Sequence, residues 1–247
     1  MNVQRQTSPT IRCADPVDHY RKDADEYDYF AAPDRITAEY WNRLRSTAAR
    51  EIPRKPGALV LDVGSGSGWL VRMMVDSGVR VISVDLSSKS LARIRRQTGG
   101  EALVSPAERL PFADGTFDCV MASEVVEHLN DPGFAITEFF RVVKPSGRVI
   151  VTTPYRERIQ WSLCVHCNRP TPFNAHLHSF DESSLGELFG KAGSRRTRFR
   201  RVGNKAFVRL HVSYLLRALP LPIWLAIDAL ANAILPKPQN IIMYGTK

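Results

Sequence analysis

The sequence predicts a doubly wound α/β fold with a largely parallel sheet, and three observations carry that expectation. Short apolar runs alternate with segments of helical period. The first run leads into a glycine-rich turn, Asp62-Val63-Gly64-Ser65-Gly66-Ser67-Gly68, and the second ends on an acidic residue, Asp85, 21 residues beyond Gly64. Strands separated by single helices are the pattern of βαβ units around a parallel sheet. With 247 residues, 44% hydrophobic and 24% charged, the chain can fill a well-buried core and lacks the composition of a disordered protein.

In chain order, residues up to about Asp18 read as a flexible lead. Residues 18–50 read as a helical cover of one or two helices, with Tyr27, Tyr29, Phe30, Ile36, Tyr40, Trp41 and Leu44 set among polar positions. Pro53, Pro56 and Gly57 punctuate the chain before ALVLDV begins a buried strand. WLVRMMVDSG then reads as a helix, VRVISVD as a strand, SKSLARIRRQTG as a helix and FDCVMAS as a strand. EVVEHLND and PGFAITEFFRVV give helical turns before GRVIVTTP supplies another strand. Residues 155–180 form a polar insertion containing cysteines and histidines. Asp181 to Ser184 precede LGELFGKAG as the cap of a helix that stops at glycine. RTRFRRV and IIMYGTK read as neighbouring strands, and between them residues 206–238 form an apolar helical insertion broken by Pro220 and Pro222. The whole of 18–247 is expected to form one domain.

The formal charge is +9, from 34 Lys plus Arg against 25 Asp plus Glu. Lys191 to Arg217 alone contains nine basic residues and no acidic one, so this stretch holds the entire excess. A uniformly basic nucleic-acid binder is therefore disfavoured. A local patch beside an apolar insertion suits an anionic membrane surface or a lipid-like substrate, with a buried lid or a homo-oligomer interface as the alternative. The apolar stretch Ala218 to Leu235 is interrupted by two prolines, Asp228 and Asn232 and is not expected to cross a bilayer. Four unevenly spaced cysteines, Cys13, Cys119, Cys164 and Cys167, do not make a disulfide scaffold. The expected location is cytoplasmic, peripheral to a membrane if the patch binds one.

The glycine turn lets backbone pass close to a ligand, and an acidic side chain at the end of the next strand can accept both hydroxyl hydrogens of a ribose. A tight turn without a ligand, or a dinucleotide site, would share these features. The ordered set DVGSGSG, VISVDLS, AERLPFADGTFDCV, SEVVEHL and FFRVVKPSGRVIVTTP resembles the class I S-adenosylmethionine-dependent methyltransferases, particularly the small-molecule branch related to ubiquinone and menaquinone methyltransferases. The resemblance covers roughly Tyr20 to Pro154 and the terminal strand. It implies a doubly wound Rossmann-like methyltransferase fold, S-adenosylmethionine as cofactor, and cofactor contacts from Asp62, Gly64, Ser65, Gly66, Gly68, Asp85, Leu86, Ala107, Glu108 and Ser123. The family often has Asp before the equivalent of Ala107, where this chain has Pro106, so backbone around Ala107 is expected to contribute more to adenine recognition.

Methyl transfer needs a nucleophile aligned behind the sulfonium methyl, and positioning can account for much of the rate. His128 is the acid–base candidate, with helix capping or packing as the bland alternative. Glu124, Glu127 and His128, at helical offsets of three and four, could share one face and hold a Mg-like ion; capping or loop support is the competing use. Some quinone-pathway O-methyltransferases use the matching residues in that way. Cys164 and Cys167, with His176 and His178, could form a structural zinc site or simply a packed loop. His178 could instead face the acceptor, with Trp161 and Phe180 as apolar walls and Tyr20 and Tyr27 closing the other side. The sequence thus predicts methyl transfer to a small apolar, aromatic or lipid-like acceptor, at oxygen, with an N-methyltransferase or a noncatalytic zinc-supported binding module as alternatives.

Overall fold

The computed structural model describes Asp28, Phe30, Ala31, residues 33–163 and residues 170–247. Its first helix, α1 (Arg35–Ala49), starts where the Asp34 carboxylate accepts hydrogen bonds from the backbone N–H groups of Ile36 and Thr37, satisfying two of the donors that every helix start leaves open. The alternating region follows as β1 (Leu59–Val63), α2 (Trp69–Met74), β2 (Arg80–Asp85), α3 (Ser88–Thr98), β3 (Glu101–Val104), β4 (Phe117–Ser123), α4 (Pro132–Val142) and β5 (Val143–Pro154). Beyond it come the hairpin strands β6 (Trp161–Leu163) and β7 (Pro170–Pro172), α5 (Glu182–Lys191) and β8 (Arg196–Asn204). The short helices α6 (Lys205–Arg209) and α7 (Val212–Leu215) then lead to α8 (Leu221–Ile234) and β9 (Pro238–Thr246).

Seven strands form one sheet in the order β3-β2-β1-β4-β5-β9-β8, with β1 to β5 parallel and β9 antiparallel to both neighbours. Side chains alternate across the pleat, so each strand feeds two cores. Leu61, Val63, Val120 and Ala122 face a cluster completed by Ile136, Phe139 and Phe140 of α4 and Leu185 and Phe189 of α5. Val60, Cys119 and Met121 face the other cluster, with Leu44 and Ala48 of α1, Leu70 and Met74 of α2, Leu91 and Ile94 of α3, and Trp224 and Leu225 of α8. Helices on both faces of a mostly parallel sheet bear out the doubly wound expectation.

Three local readings change. The four-residue β3 is not among the expected strands: its apolar run, Ala102-Leu103-Val104, is short, and as the edge strand it buries only Ala102. The helix expected over WLVRMMVDSG ends at Met74, short of the turn around Gly78. Glu124 does not begin a helix; it has φ +56° and is followed by a single 3-10 turn over Val126–His128, so Glu124, Glu127 and His128 do not share a helical face.

The helical insertion is fastened to α1. The Arg43 guanidinium donates to the carbonyls of Leu219 at 2.9 Å and Arg217 at 2.6 Å, satisfying carbonyls after α7 while lying over the Trp224 ring. Pro220 precedes the first turn of α8 and Pro222 lies within it, where a missing N–H costs nothing.

Candidate functional site

The carboxyl ends of β1, β2 and β4 meet where the strand order reverses between β1 and β4, the crevice in which open α/β sheets bind ligands. The glycine turn there is held by its own backbone. Gly64 and Ser65 N–H both donate to the Val84 carbonyl, and the Ser65 hydroxyl donates to the Asp62 carbonyl at 2.9 Å. Gly64 is required by packing, because a Cβ at its φ of +66° would lie 2.4 Å from Val125 Cγ2. Gly68 is confined in the same way by Ile94. At Gly66 a Cβ would approach nothing nearer than the Gly64 carbonyl oxygen at 4.0 Å, so this glycine borders open space.

Asp85 connects the glycine turn to the start of α3. One carboxylate oxygen accepts from Gly66 N–H at 2.8 Å and the other from Ser87 N–H at 2.9 Å, while the Ser87 side chain caps α3. Burial nonetheless raises the Asp85 pKa. Leu86 is half-buried beside it, and Ala107 is buried, with Glu108 half-buried, in the turn that follows β3.

Asp62 is the least satisfied group of the turn. It is almost fully buried, and neither carboxylate oxygen has a hydrogen-bond partner. Burial, reinforced by the Asp85 charge, pushes its pKa up to about 8. An orphaned buried carboxylate of this kind fits a cationic ligand group, such as the ammonium of a methioninyl chain. Arg45 of α1, which the sequence reading passed over, is close enough for its charge to act on both Asp62 and Glu124. Its guanidinium lies over Trp41 and Trp69, and its Nε is buried without a partner. Only the fold brings position 45 to this crevice, so no local motif could have marked it.

The raised Asp62 pKa fixes the sign of a pH effect. Between about pH 3.8 and 8 the folded chain retains a proton that the unfolded chain has released, so this group's contribution to stability is fully present below pH 3.8 and is lost as pH rises towards 8. We expect Asp62→Asn to flatten the fall in stability measured by denaturant unfolding from pH 5 to 8, by at most about 1.4 kcal/mol per pH unit. Equal slopes in both proteins would refute this assignment.

Glu124 is committed to the sheet rather than to a neighbour in its own turn. Its carboxylate accepts from the Thr152 hydroxyl at 2.7 Å and from Asn240 Nδ2 at 2.8 Å, and the Tyr40 hydroxyl of α1 donates to Asn240 Oδ1. Ser123 and Thr152 hydroxyls lie 2.9 Å apart. Burial raises the pKa of Glu124, and burial together with the Glu124 charge raises that of Glu127.

Glu127 and His128 meet a different partner. One donor atom from each of Glu127, His128 and His176 lies within 4.8 Å of the others. Glu127 Oε2 accepts from Thr153, whereas its buried Oε1 has no partner. Glu157 engages His176 Nδ1, and the His128 and His176 rings pack edge to face at 4.7 Å. The Glu127 carbonyl accepts N–H bonds from Leu177 and His178, which brings the later segment onto the 3-10 turn. His178 itself is turned away: its Nε2 lies 2.8 Å from the Leu129 carbonyl. Among the described residues the structure thus separates Glu124 from Glu127 and His128 and sets His176 beside that pair. Cys164 and Cys167 lie outside the described residues, as do Tyr20 and Tyr27. Trp161 stands exposed on β6, and Phe180 is buried in the core beside Tyr155.

Residues 61–151 match the family model described as a methyltransferase domain. The chain is 30% identical over 164 residues to a protein of Mycolicibacterium smegmatis named a probable S-adenosylmethionine-dependent methyltransferase, covering 65% of this chain and 62% of the relative. It is 29% identical over 194 residues to the demethylmenaquinone methyltransferase of Renibacterium salmoninarum, covering 70% and 80%. It is 36% identical over 115 residues to the ubiquinone biosynthesis O-methyltransferase of Thiobacillus denitrificans, covering 44% and 50%. The match thus spans less than two thirds of the first and third relatives. Phosphoethanolamine N-methyltransferase 2 of Haemonchus contortus, solved with S-adenosyl-L-methionine, shares the fold at a TM-score of 0.60 and 18% identity, over 92% of this chain and 59% of that one.

Proposed function

We propose that this chain, which carries a class I S-adenosylmethionine-dependent methyltransferase domain, transfers the sulfonium methyl to oxygen on a small apolar, aromatic or lipid-like acceptor. The observation that carries the cofactor reading is the orphaned Asp62 carboxylate beneath a glycine turn that is open at Gly66. In this reading Asp62 meets the cofactor ammonium, Arg45 its carboxylate, and Asp85 its ribose. Asp85 can accept ribose hydroxyls with the lone pairs not used by Gly66 and Ser87. The preference for oxygen and for a quinone-like acceptor is supported by the names of relatives such as the ubiquinone biosynthesis O-methyltransferase.

His128 acts in one of two ways: as the base that receives the acceptor proton, or as a ligand of a divalent ion held with Glu127 and His176, in which case it takes no proton and the acceptor's proton leaves to solvent. The unpartnered Glu127 Oε1 favours the second arrangement. Two imidazoles and one carboxylate suit a first-row transition ion better than magnesium, which prefers an all-oxygen set. Such an ion would supply charge stabilisation for the acceptor oxygen.

The test is calorimetric titration with S-adenosylmethionine followed by methyl-transfer assays on quinol, phenol and amine acceptors. Wild type is expected to bind the cofactor and methylate an oxygen acceptor, and His128→Gln to lose roughly 10²–10⁴-fold in turnover with cofactor affinity unchanged. Chelator treatment of wild type separates the two uses of His128: the ion-bound form loses activity, the direct base does not. A folded wild-type protein that neither binds nor turns over the cofactor would overturn the function, and amine-only turnover would overturn the oxygen assignment.

A further inference from the structure

The insertion helix α8 packs Trp224 and Leu225 into the core yet turns no polar side chain to solvent. Its two polar residues face inward: Asp228 is 3% exposed and accepts a hydrogen bond from Gly203 N–H, and Asn232 bonds to Asn204 and to the Asp228 carbonyl. Its outward stripe is apolar. Ile223, Leu230 and Ile234, spaced seven and four residues apart on one face, are 49%, 62% and 76% exposed. Leu210 beside α6 and Leu215 of α7 add two more, 69% and 71% exposed. A surface helix of a soluble protein normally turns its apolar face to the core and its polar face to water.

The charge around this ridge is equally one-sided. Residues 192–247 contain ten Lys and Arg and one side-chain carboxylate, Asp228, which is buried. Lys191, Arg198 and Arg201 are ion-paired with Glu187, Glu51 and Glu182. Arg209, Arg217 and Lys237 are exposed next to the ridge and have no carboxylate partner among the described residues. An apolar ridge bordered by cations matches a surface that is anionic outside and hydrocarbon beneath. A second copy is a poor occupant, because it would bring the same cations and no accessible carboxylate against them. Nucleic acid offers the charge but nothing for five exposed aliphatic side chains.

We propose that α6 to α8 form a docking surface for an anionic lipid bilayer, with the outward stripe of α8 entering the headgroup boundary and Arg209, Arg217 and Lys237 meeting lipid phosphates. No helix among the described residues is long and apolar enough to cross a membrane, and the 14 residues of α8 span about 21 Å, so the helix lies in the interface. Arg43 ties the insertion to α1, the helix that also carries Arg45 and Tyr40, so docking sets the site beside the lipid surface. The inference rests on this surface and is independent of the acceptor assigned above.

Sedimentation of the full chain with vesicles of phosphatidylcholine alone, or mixed with phosphatidylglycerol, tests it. Wild type is expected to pellet with the mixed vesicles, while Arg209→Gln/Arg217→Gln/Lys237→Gln partitions roughly 100-fold more weakly, as three interfacial charges imply. Leu230→Gln/Ile234→Gln is expected to lose binding without loss of thermal stability. Equal pelleting of wild type and either variant, or no pelleting of folded wild type, would overturn the proposal. A wild-type dimer in sedimentation velocity that the Leu230→Gln/Ile234→Gln pair dissolves would overturn it too, assigning the ridge to a second copy.

Discussion

A Gly66→Asp variant is expected to fold as the wild type does and to bind S-adenosylmethionine at least roughly 100-fold more weakly, about 2.7 kcal/mol. The two halves of that result have separate causes. The backbone at position 66 has φ +49°, a left-handed value that aspartate tolerates better than most residues, and an added Cβ meets no protein atom closer than 4.0 Å. The open space that spares the fold is the space assigned to the cofactor. A carboxylate there would also join Asp62 and Asp85, two acids already held above their usual range by burial. Titration calorimetry beside a thermal melt reads both effects. Wild-type affinity in a folded Gly66→Asp protein would place the cofactor elsewhere. Gly64→Ala provides the contrast, since its methyl would press into Val125 and the loss should appear first in stability.

The largest stability effect is expected at Phe189→Ala, about 3–5 kcal/mol by denaturant unfolding. Phe189 of α5 is fully buried and meets Phe140 of α4 edge to face, with ring centroids 5.5 Å apart. Both rings sit over Gly245 of β9, where a Cβ would lie 2.6 Å from each. Two helices and the next-to-edge strand β9 are thus packed through one pair of rings, so truncating one leaves a cavity that none of the three can fill alone. Gly245→Ala should cost less, about 1–3 kcal/mol, because overpacking can be relieved by moving the rings. A loss below 1 kcal/mol at Phe189 would show that α5 does not depend on this contact.

The legible parts of the chain were those in which one local feature has one physical meaning. The runs ending at Val63, Asp85, Ser123 and Pro154 are buried on both faces, so they read as apolar strands, and the Asp181 cap is written in four consecutive residues. The glycine turn was equally plain because Gly64 and Gly68 are demanded by packing. What could not be read depends on distant contacts. Arg45 looks like one more polar residue on an amphipathic helix until the sheet turns it towards Asp62. The EVVEH string suggested a helix, but Asn240, more than 100 positions later, and Thr152 draw Glu124 out of helical geometry. His176 joined Glu127 and His128 for a similar reason, since the Glu127 carbonyl anchors the backbone at 177 and 178. The inward polarity of Asp228 needed Gly203 on β8, which no periodicity within α8 reveals.

The position of β9 has a consequence for how the protein is made. This last strand inserts between β5 and β8, and its Asn240 joins Tyr40 of the first helix to Glu124 at the crevice. A chain emerging from the ribosome therefore carries every glycine of the glycine-rich turn long before it can complete the crevice. Until Pro238–Thr246 has emerged, β5 has an open edge and Glu124 is without its Asn240 partner. The sheet cannot close until residues 238–246 have been made, and until then β5 exposes an unpaired strand edge, a site open to aggregation.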